Sequence, residues 1–214
     1  MKPNREEYLT TIFKLNTRKG RTTNKDISQW MRIAPSSVTE MTRKLETEGL
    51  VQISHNQITL TENGIALAEK VLSKHRLWEL FLQQVLHYDW HDVHQQATLL
   101  QYATSDQLME RLNAFLNYPP HCPHGGVIFL NDRGETQELH RLSEAPCSLP
   151  LCIRRIADNK ELLDYADRHH LFIGQHVRLD FVEEFDRSVQ ITVEGQSQTL
   201  SAKACDQIFV SVEK

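Results

Sequence analysis

The sequence predicts a mainly α-helical chain with small β parts: a helical head carrying a β-hairpin, a helical middle and a C-terminal β-barrel. Three observations predict this. Apolar residues recur at helical spacing through residues 4–16, 23–31 and 35–49. The period then shortens to the β-rich runs LVQIS and QITLT. After three further stretches of helical period, short strand-like runs punctuated by glycine begin at Leu151.

In the first helix Asn4 suits the N-cap, Glu6 and Glu7 suit the first turn, and Tyr8, Leu9, Ile12, Phe13 and Leu15 are the apolar stripe. RKGR, Arg18 to Arg21, reads as a loop. TNKDISQWM reads as a short helix with Ile27, Trp30 and Met31 turned inward, followed by a turn at Arg32-Ile33-Ala34. Pro35 suits the first position of the next helix and Gly49 its stop, with Val38, Met41, Leu45 and Leu50 buried. The two β-runs form a hairpin turning near Ser54-His55-Asn56. Thr61 caps a long helix over 62–87. Further helices follow over His91–Tyr102 and Ser105–Leu116, and the three helices suit a dimerisation domain. YPPHCPHGG is a stiff, non-helical loop and 127–150 is irregular. Beyond it come the strand LCIRRIA, the helix NKELLDYADRHH, and the strand-like GQHVRLDFVEEF, SVQITVEGQ, QTLSAKACDQ and IFVSVEK. The expected domains are 1–64, 65–140 and 141–214.

The chain of 214 residues carries a net charge of −4, which by itself argues against nucleic acid. Its distribution argues otherwise. Residues 1–60 hold ten Lys and Arg against six Asp and Glu, a net +4; residues 61–214 hold fourteen against twenty-two, a net −8. A cationic head on an acidic body suits a protein that meets phosphate at one end. No run approaches the roughly 20 apolar residues that span a bilayer, and the N-terminus has no signal-peptide core; a cytoplasmic protein is expected. Cys122, Cys147, Cys152 and Cys205 show no repeated CxxC spacing, so thiols or ligands are expected rather than a disulfide framework.

Helix, tight turn, helix and hairpin in this order make a winged helix-turn-helix. The start of its second helix, with Pro35, Ser36, Ser37 and Thr39, would enter the major groove of double-stranded operator DNA. Arg43, Lys44, Lys25 and Arg32 would hold phosphates, adding affinity and salt dependence rather than sequence information. Ser36 serves equally as a cap or a base reader, and the same fold can serve protein contacts alone.

EEYLTTIF, DISQWMRIAPSSVTEMTRKLETEGLV, LTENG, SKHRLWELFL, DVHQQA and CPHGG follow in an order and spacing that resemble the diphtheria toxin repressor family of metal-dependent regulators. The resemblance is to the manganese-responsive branch with an extra C-terminal domain, and it covers nearly the whole chain. It implies a homodimer, a helical metal-binding domain and a C-terminal SH3-like domain related to ferrous-transport accessory proteins. It also implies repression of manganese or iron uptake genes when Mn²⁺ or Fe²⁺ is abundant, with no membrane contact and no small organic substrate.

His75 and Glu79, four apart on one helix, share a face. With His94 they match the family's ancillary metal site, and Asp158 is the candidate for its C-terminal carboxylate. The resemblance places a primary site at Glu7 and at Thr98, Gln101 and Tyr102, where the family has a carboxylate or thiol, a carboxylate and a histidine. Neutral Thr and Gln and a protonated Tyr are poor partners for a hard cation, so this site is expected to be weak, altered or empty. Cys122 and His124, with His121 as a spare, could compensate with Glu7 as a softer set suited to Zn²⁺; alternatively YPPHCPH is only a stiff loop with exposed histidines. His87 and His91 fit a polar helix start, and His169 and His170 a helix end. No motif positions a general base or an oxyanion-stabilising group, so no enzyme is expected. The alternatives are a zinc-, redox- or metal-independent regulator of the same fold using Cys122, or, less favoured, a metalloenzyme with catalytic Zn²⁺ on His75, Glu79 and His94.

Overall fold

A computed structural model of the chain describes residues 3–90, 92–132, 134 and 138–213. The chain forms two compact units, Met1–Lys74 and His75–Lys214. Among the described residues no helix is long and apolar enough to cross a membrane.

The first unit holds α1 (Arg5–Lys19), α2 (Asn24–Met31), α3 (Pro35–Thr47), β1 (Val51–Ser54), β2 (Gln57–Leu60) and the start of α4 (Glu62–Gln84). The caps are those the sequence offers. Asn4 and Glu7 form a reciprocal capping box on α1, which ends at Gly20 in the left-handed region. Thr23 and Asp26 form the same box on α2. Thr61 Oγ1 accepts from the Gly64 amide at 3.1 Å at the start of α4. His55 and Asn56, both at positive φ, make the two-residue turn of the β1–β2 hairpin. Leu9, Ile12, Ile27, Val38, Leu45 and Ile58 pack as one core. Trp30 differs from expectation: it is exposed, and the Arg18 guanidinium lies 5.2 Å from its ring centroid. The short α2 buries Ile27 instead.

In the second unit α4 continues, followed by α5 (Val93–Ala103) and α6 (Asp106–Phe115). Helix α5 starts two residues later than its sequence period suggests. The Asp92 carboxylate accepts from Lys160 at 2.7 Å and makes no capping bond to α5. His91 lies outside the described residues. Two short apolar clusters, Leu77 with Met109, Leu112 and Ile128, and Leu82 with Val93 and Ala97, hold the helices together.

The remaining strands are β3 (His140–Arg141), β4 (Pro150–Ile156), β5 (His176–Val182), β6 (Val189–Val193), β7 (Gln196–Leu200) and β8 (Ile208–Val212), with α7 (Lys160–Arg168) between β4 and β5 and α8 (Ala202–Cys205) between β7 and β8. They form one antiparallel sheet in the order β3-β8-β4-β5-β6-β7. Irregular register in β4 and β5 bends it around Leu151, Ile153, Leu163, Leu179, Ile191 and Val210. This is the SH3-like domain. The segment QTLSAKACDQ is strand only to Leu200. Ser201 then accepts from the Ala204 amide and starts α8, a capping signal that strand periodicity hides.

Candidate metal centre

Four separate stretches of the second unit deliver side chains to one buried point. Helix α4 supplies His75 and Glu79, one turn apart. Helix α5 supplies His94 in its first turn. Asp158 sits just past the end of β4, and the loop after α6 supplies Cys122 and His124. His75 Nε2 lies 2.9 Å from Glu79 Oε1 and 3.0 Å from His94 Nδ1. Asp158 Oδ2 contacts His94 Nδ1 and lies 3.5 Å from His75 Nε2. One ligand atom from each of His75, Glu79, His94 and Asp158 lies within 4.8 Å of the others. Glu79, Cys122 and His124 form a second such group that shares Glu79.

His124 arrives through a tight turn. The Gly125 amide donates to the Cys122 carbonyl and the Cys122 amide to the Gly126 carbonyl, both at 2.9 Å. Gly125 has φ +77°, and a Cβ there would stand 1.9 Å from the carbonyl oxygen of Arg154. Only glycine lets the turn lie this close to β4, where the Ile156 amide donates to the His124 carbonyl at 3.0 Å. The imidazole is 1% exposed. Its Nε2 lies 2.7 Å from the carbonyl oxygen of Trp90, so Nε2 carries the hydrogen. Nδ1 then faces Glu79 Oε2 at 3.6 Å and Asp158 Oδ1 at 4.0 Å. His124 Nδ1 and Asp158 Oδ1 are the two buried side-chain polar atoms without a hydrogen-bond partner among the described residues. Buried polar atoms left without a partner are costly. A divalent cation would satisfy both, and three imidazoles, two carboxylates and a thiol suit Mn²⁺, Fe²⁺ or Zn²⁺.

The electrostatics agree with a cation-shaped site. Burial alone would lower the histidine pKa values, but the acidic neighbours outweigh it. His94 rises to about 9 beside Asp158 and Glu79. His124 rises to about 11 beside Cys122, Glu79 and Asp158. His75 also rises, through Glu79 and Asp158. Burial would raise Glu79 and Asp158, yet the imidazoles hold both carboxyls below their ordinary values. The Cys122 thiol is pushed up by burial and by Glu79. Protons on the imidazoles supply the positive charge that a bound cation would replace.

Cys122 and His124 therefore gather on Glu79, a grouping the sequence did not reveal because the residues are far apart in the chain. His121 is exposed and outside it, and so is His87, in a left-handed turn after α4. His169 ends α7, with its Nδ1 3.0 Å from Gln198 Oε1, and His170 follows in the left-handed region. Glu7 lies in the first unit, where its carboxylate accepts from the Asn4 amide at 3.2 Å. On α5, Thr98 donates to the His94 carbonyl at 2.9 Å, Gln101 is buried and Tyr102 half-buried.

In the first unit Pro35, Ser36 and Ser37 at the start of α3 are exposed, as are Arg43, Lys44, Lys25 and Arg32. No side chain caps α3, whose N-cap is Ala34, so neither serine is a capping residue. Thr39 is half-buried. Its hydroxyl donates to the Pro35 carbonyl at 3.0 Å and accepts from Asn24 at 3.3 Å, which ties it to the α2–α3 packing.

Three family models match consecutive stretches. "Iron dependent repressor, N-terminal DNA binding domain" matches residues 1–57. "Iron dependent repressor, metal binding and dimerisation domain" matches 61–130. "FeoA domain" matches 140–212. An uncharacterized HTH-type transcriptional regulator of Methanocaldococcus jannaschii is 38% identical over 115 residues, 52% of this chain and 90% of its own. The structure of ScaR with bound Zn²⁺ is 36% identical with a TM-score of 0.89, covering 99% of this chain and 100% of that one. The structure of the manganese regulator SloR is 34% identical with a TM-score of 0.84, covering 100% of each.

Proposed function

The chain belongs to the iron-dependent repressor family, that of the diphtheria toxin repressor, and from that premise we propose that it represses metal-uptake genes by binding operator DNA as a cytoplasmic homodimer. It is a metal-dependent DNA-binding regulator and not an enzyme. The observation that carries the metal reading is the pair of partnerless buried atoms, His124 Nδ1 and Asp158 Oδ1, 4.0 Å apart, with the buried Glu79 carboxylate 3.6 Å from the imidazole.

We assign His75, Glu79, His94, Asp158, Cys122 and His124 as the residues that hold the ion. Trp90 fixes the tautomer of His124, and the first turn of α5 presents His94. An ion bound there supplies the positive charge that the two carboxylates otherwise take from protonated imidazoles. Thr98, Gln101 and Tyr102 offer no carboxylate for a hard cation, so we assign the control to the Glu79 cluster. Such control requires the ion to favour the DNA-competent state over the other. Residues 1–64 would read DNA, 65–140 would dimerise and bind metal, and 141–214 would contribute Asp158.

In the head, Pro35, Ser36 and Ser37 would meet base edges, with Thr39 completing that turn of α3, while Lys25, Arg32, Arg43 and Lys44 hold phosphates. Among ions, the Cys122 thiol and three imidazoles fit Zn²⁺ and Fe²⁺ as well as Mn²⁺. The test is binding to operator fragments with chelator and then with Mn²⁺, Fe²⁺ or Zn²⁺ titrated back, with metal content measured on the same samples. Affinity should rise with occupancy. Equal affinity in every condition would remove metal control from the account.

A further inference from the structure

A second group of metal-type side chains stands on the C-terminal sheet, apart from the Glu79 cluster. Strands β5, β4 and β8 are neighbours. Cys152 of β4 pairs directly with His176 of β5 and with Ser211 of β8. Residues directly opposite in a sheet point to the same face, and so do residues two apart on one strand. Glu213, two beyond Ser211, therefore shares the face of Cys152 and His176. Leu151, Ile153 and Val210 alternate with them and enter the core on the other side.

Three adjacent strands thus place a thiol, an imidazole and a carboxylate together. One ligand atom from each lies within 4.8 Å of the other two. Glu213 is held in place, because its amide donates to the Pro150 carbonyl at 2.9 Å. Arg154 Nη2 takes Glu213 Oε1 at 2.7 Å, and a carboxylate has a second oxygen to offer. Cys152 is 2% exposed while His176 is exposed, so the group is anchored at its base and open to solvent at its rim.

We propose that Cys152, His176 and Glu213 form a separate three-ligand site for a thiophilic divalent cation, Zn²⁺ being the best fit. Tetrahedral zinc with Zn–S of about 2.3 Å and Zn–N or Zn–O of about 2.0–2.2 Å sets its ligand atoms about 3.5 Å apart. Rotation of the side chains closes the group, now within 4.8 Å, to that size, and water would complete the fourth position. On binding, the Cys152 S–H bond breaks, the sulfur bonds the metal and the proton passes to solvent. Hard Mn²⁺ prefers oxygen ligands and is not the ion selected here. The site bridges three strands, so its occupancy stabilises the sheet whose β4 leads to Asp158.

The experiment titrates Co²⁺ into the full chain carrying Cys122→Ser, so that the Glu79 cluster contributes no sulfur–cobalt signal. A near-ultraviolet sulfur-to-cobalt charge-transfer band is expected. Adding Cys152→Ser should abolish it and lower the bound Co²⁺ by one per protomer in equilibrium dialysis. Adding His176→Ala instead, on the exposed rim where folding is not at stake, should weaken Co²⁺ binding at least tenfold. Absence of the band in Cys122→Ser overturns the proposal. So does its survival after Cys152→Ser, or an unchanged affinity in His176→Ala.

Discussion

His124 Nε2 donates to the carbonyl oxygen of Trp90 at 2.7 Å, and this bond leaves Nδ1 as the ring atom that faces Glu79 and Asp158. Outer partners that fix the tautomer of a ligating histidine are worth roughly 10–100-fold in metal affinity. Removing the ring itself should cost at least as much. His124→Ala is expected to weaken Mn²⁺ or Zn²⁺ binding by about 100-fold in competition with a chelator. His121→Ala, an exposed side chain in the same loop, should change it less than about threefold. Equal losses in the two variants would mean that the loop, rather than the imidazole, matters.

Gly125→Ala tests how the turn is held. At φ +77° any side chain is strained, and here the new Cβ meets the Arg154 carbonyl. Strain of this kind costs about 1–3 kcal/mol before the clash is relieved. The expected result is a lower urea midpoint in the metal-free chain, corresponding to a stability loss of about 2 kcal/mol or more, together with weaker metal binding as His124 is displaced. Gly134→Ala, where nothing lies within 4 Å of an added Cβ, carries the same sign of φ without the clash and should cost less.

The head was legible because its signals are local. Asn4, Thr61, Pro35 and the His55-Asn56 turn each mark an element end within a few residues, and helical period fixes the stripe of Leu9, Ile12, Val38 and Leu45. His75 and Glu79 were legible for the same reason, being one turn apart, and the family resemblance added His94 and Asp158 to them. The rest depends on tertiary placement. Nothing near CPHGG indicates that His124 meets Glu79 rather than Glu7, because the Trp90 carbonyl and the close approach to Arg154 come from distant strands and loops. The group of Cys152, His176 and Glu213 is hidden more deeply: it exists only once the register of three strands is fixed. Trp30 and α8 failed differently. There an apolar residue and a strand-like period were read without the Arg18 stacking and the Ser201 cap that decide them.

Metal affinity should depend steeply on pH. In the metal-free chain His94 titrates at about 9 and His124 at about 11, held up by Glu79, Asp158 and Cys122. Both rings are therefore protonated at neutral pH, and an ion must displace those protons. Each displaced proton makes the affinity rise about tenfold per pH unit below its pKa. Between pH 6 and 8 the logarithm of the affinity should climb with a slope of at least one. The stability of the metal-free chain moves the opposite way. A histidine pKa raised in the folded state contributes stability that is complete below the unfolded value near 6.5 and is lost as pH rises through about 9 for His94. Calorimetric titrations across this range, with and without metal, check both signs.

The head makes a separate prediction about salt. Arg43 and Lys44 are exposed on α3, and a phosphate contact contributes counterion release rather than base preference. Replacing either by Ala should lower operator affinity, reduce the slope of log affinity against log salt by about one, and leave the ranking of operator variants unchanged. Ser36 and Ser37 should behave in the opposite manner. They are exposed at the N-terminus of α3 and cap nothing. Their replacement by Ala should leave the salt slope alone and cost about 1–3 kcal/mol at particular base pairs. Thr39 divides the two readings of this helix. Its hydroxyl is bonded to Pro35 and Asn24, so Thr39→Val should lower head stability before it alters base preference. A change in base preference at unchanged stability would show that the hydroxyl leaves Asn24 to meet DNA.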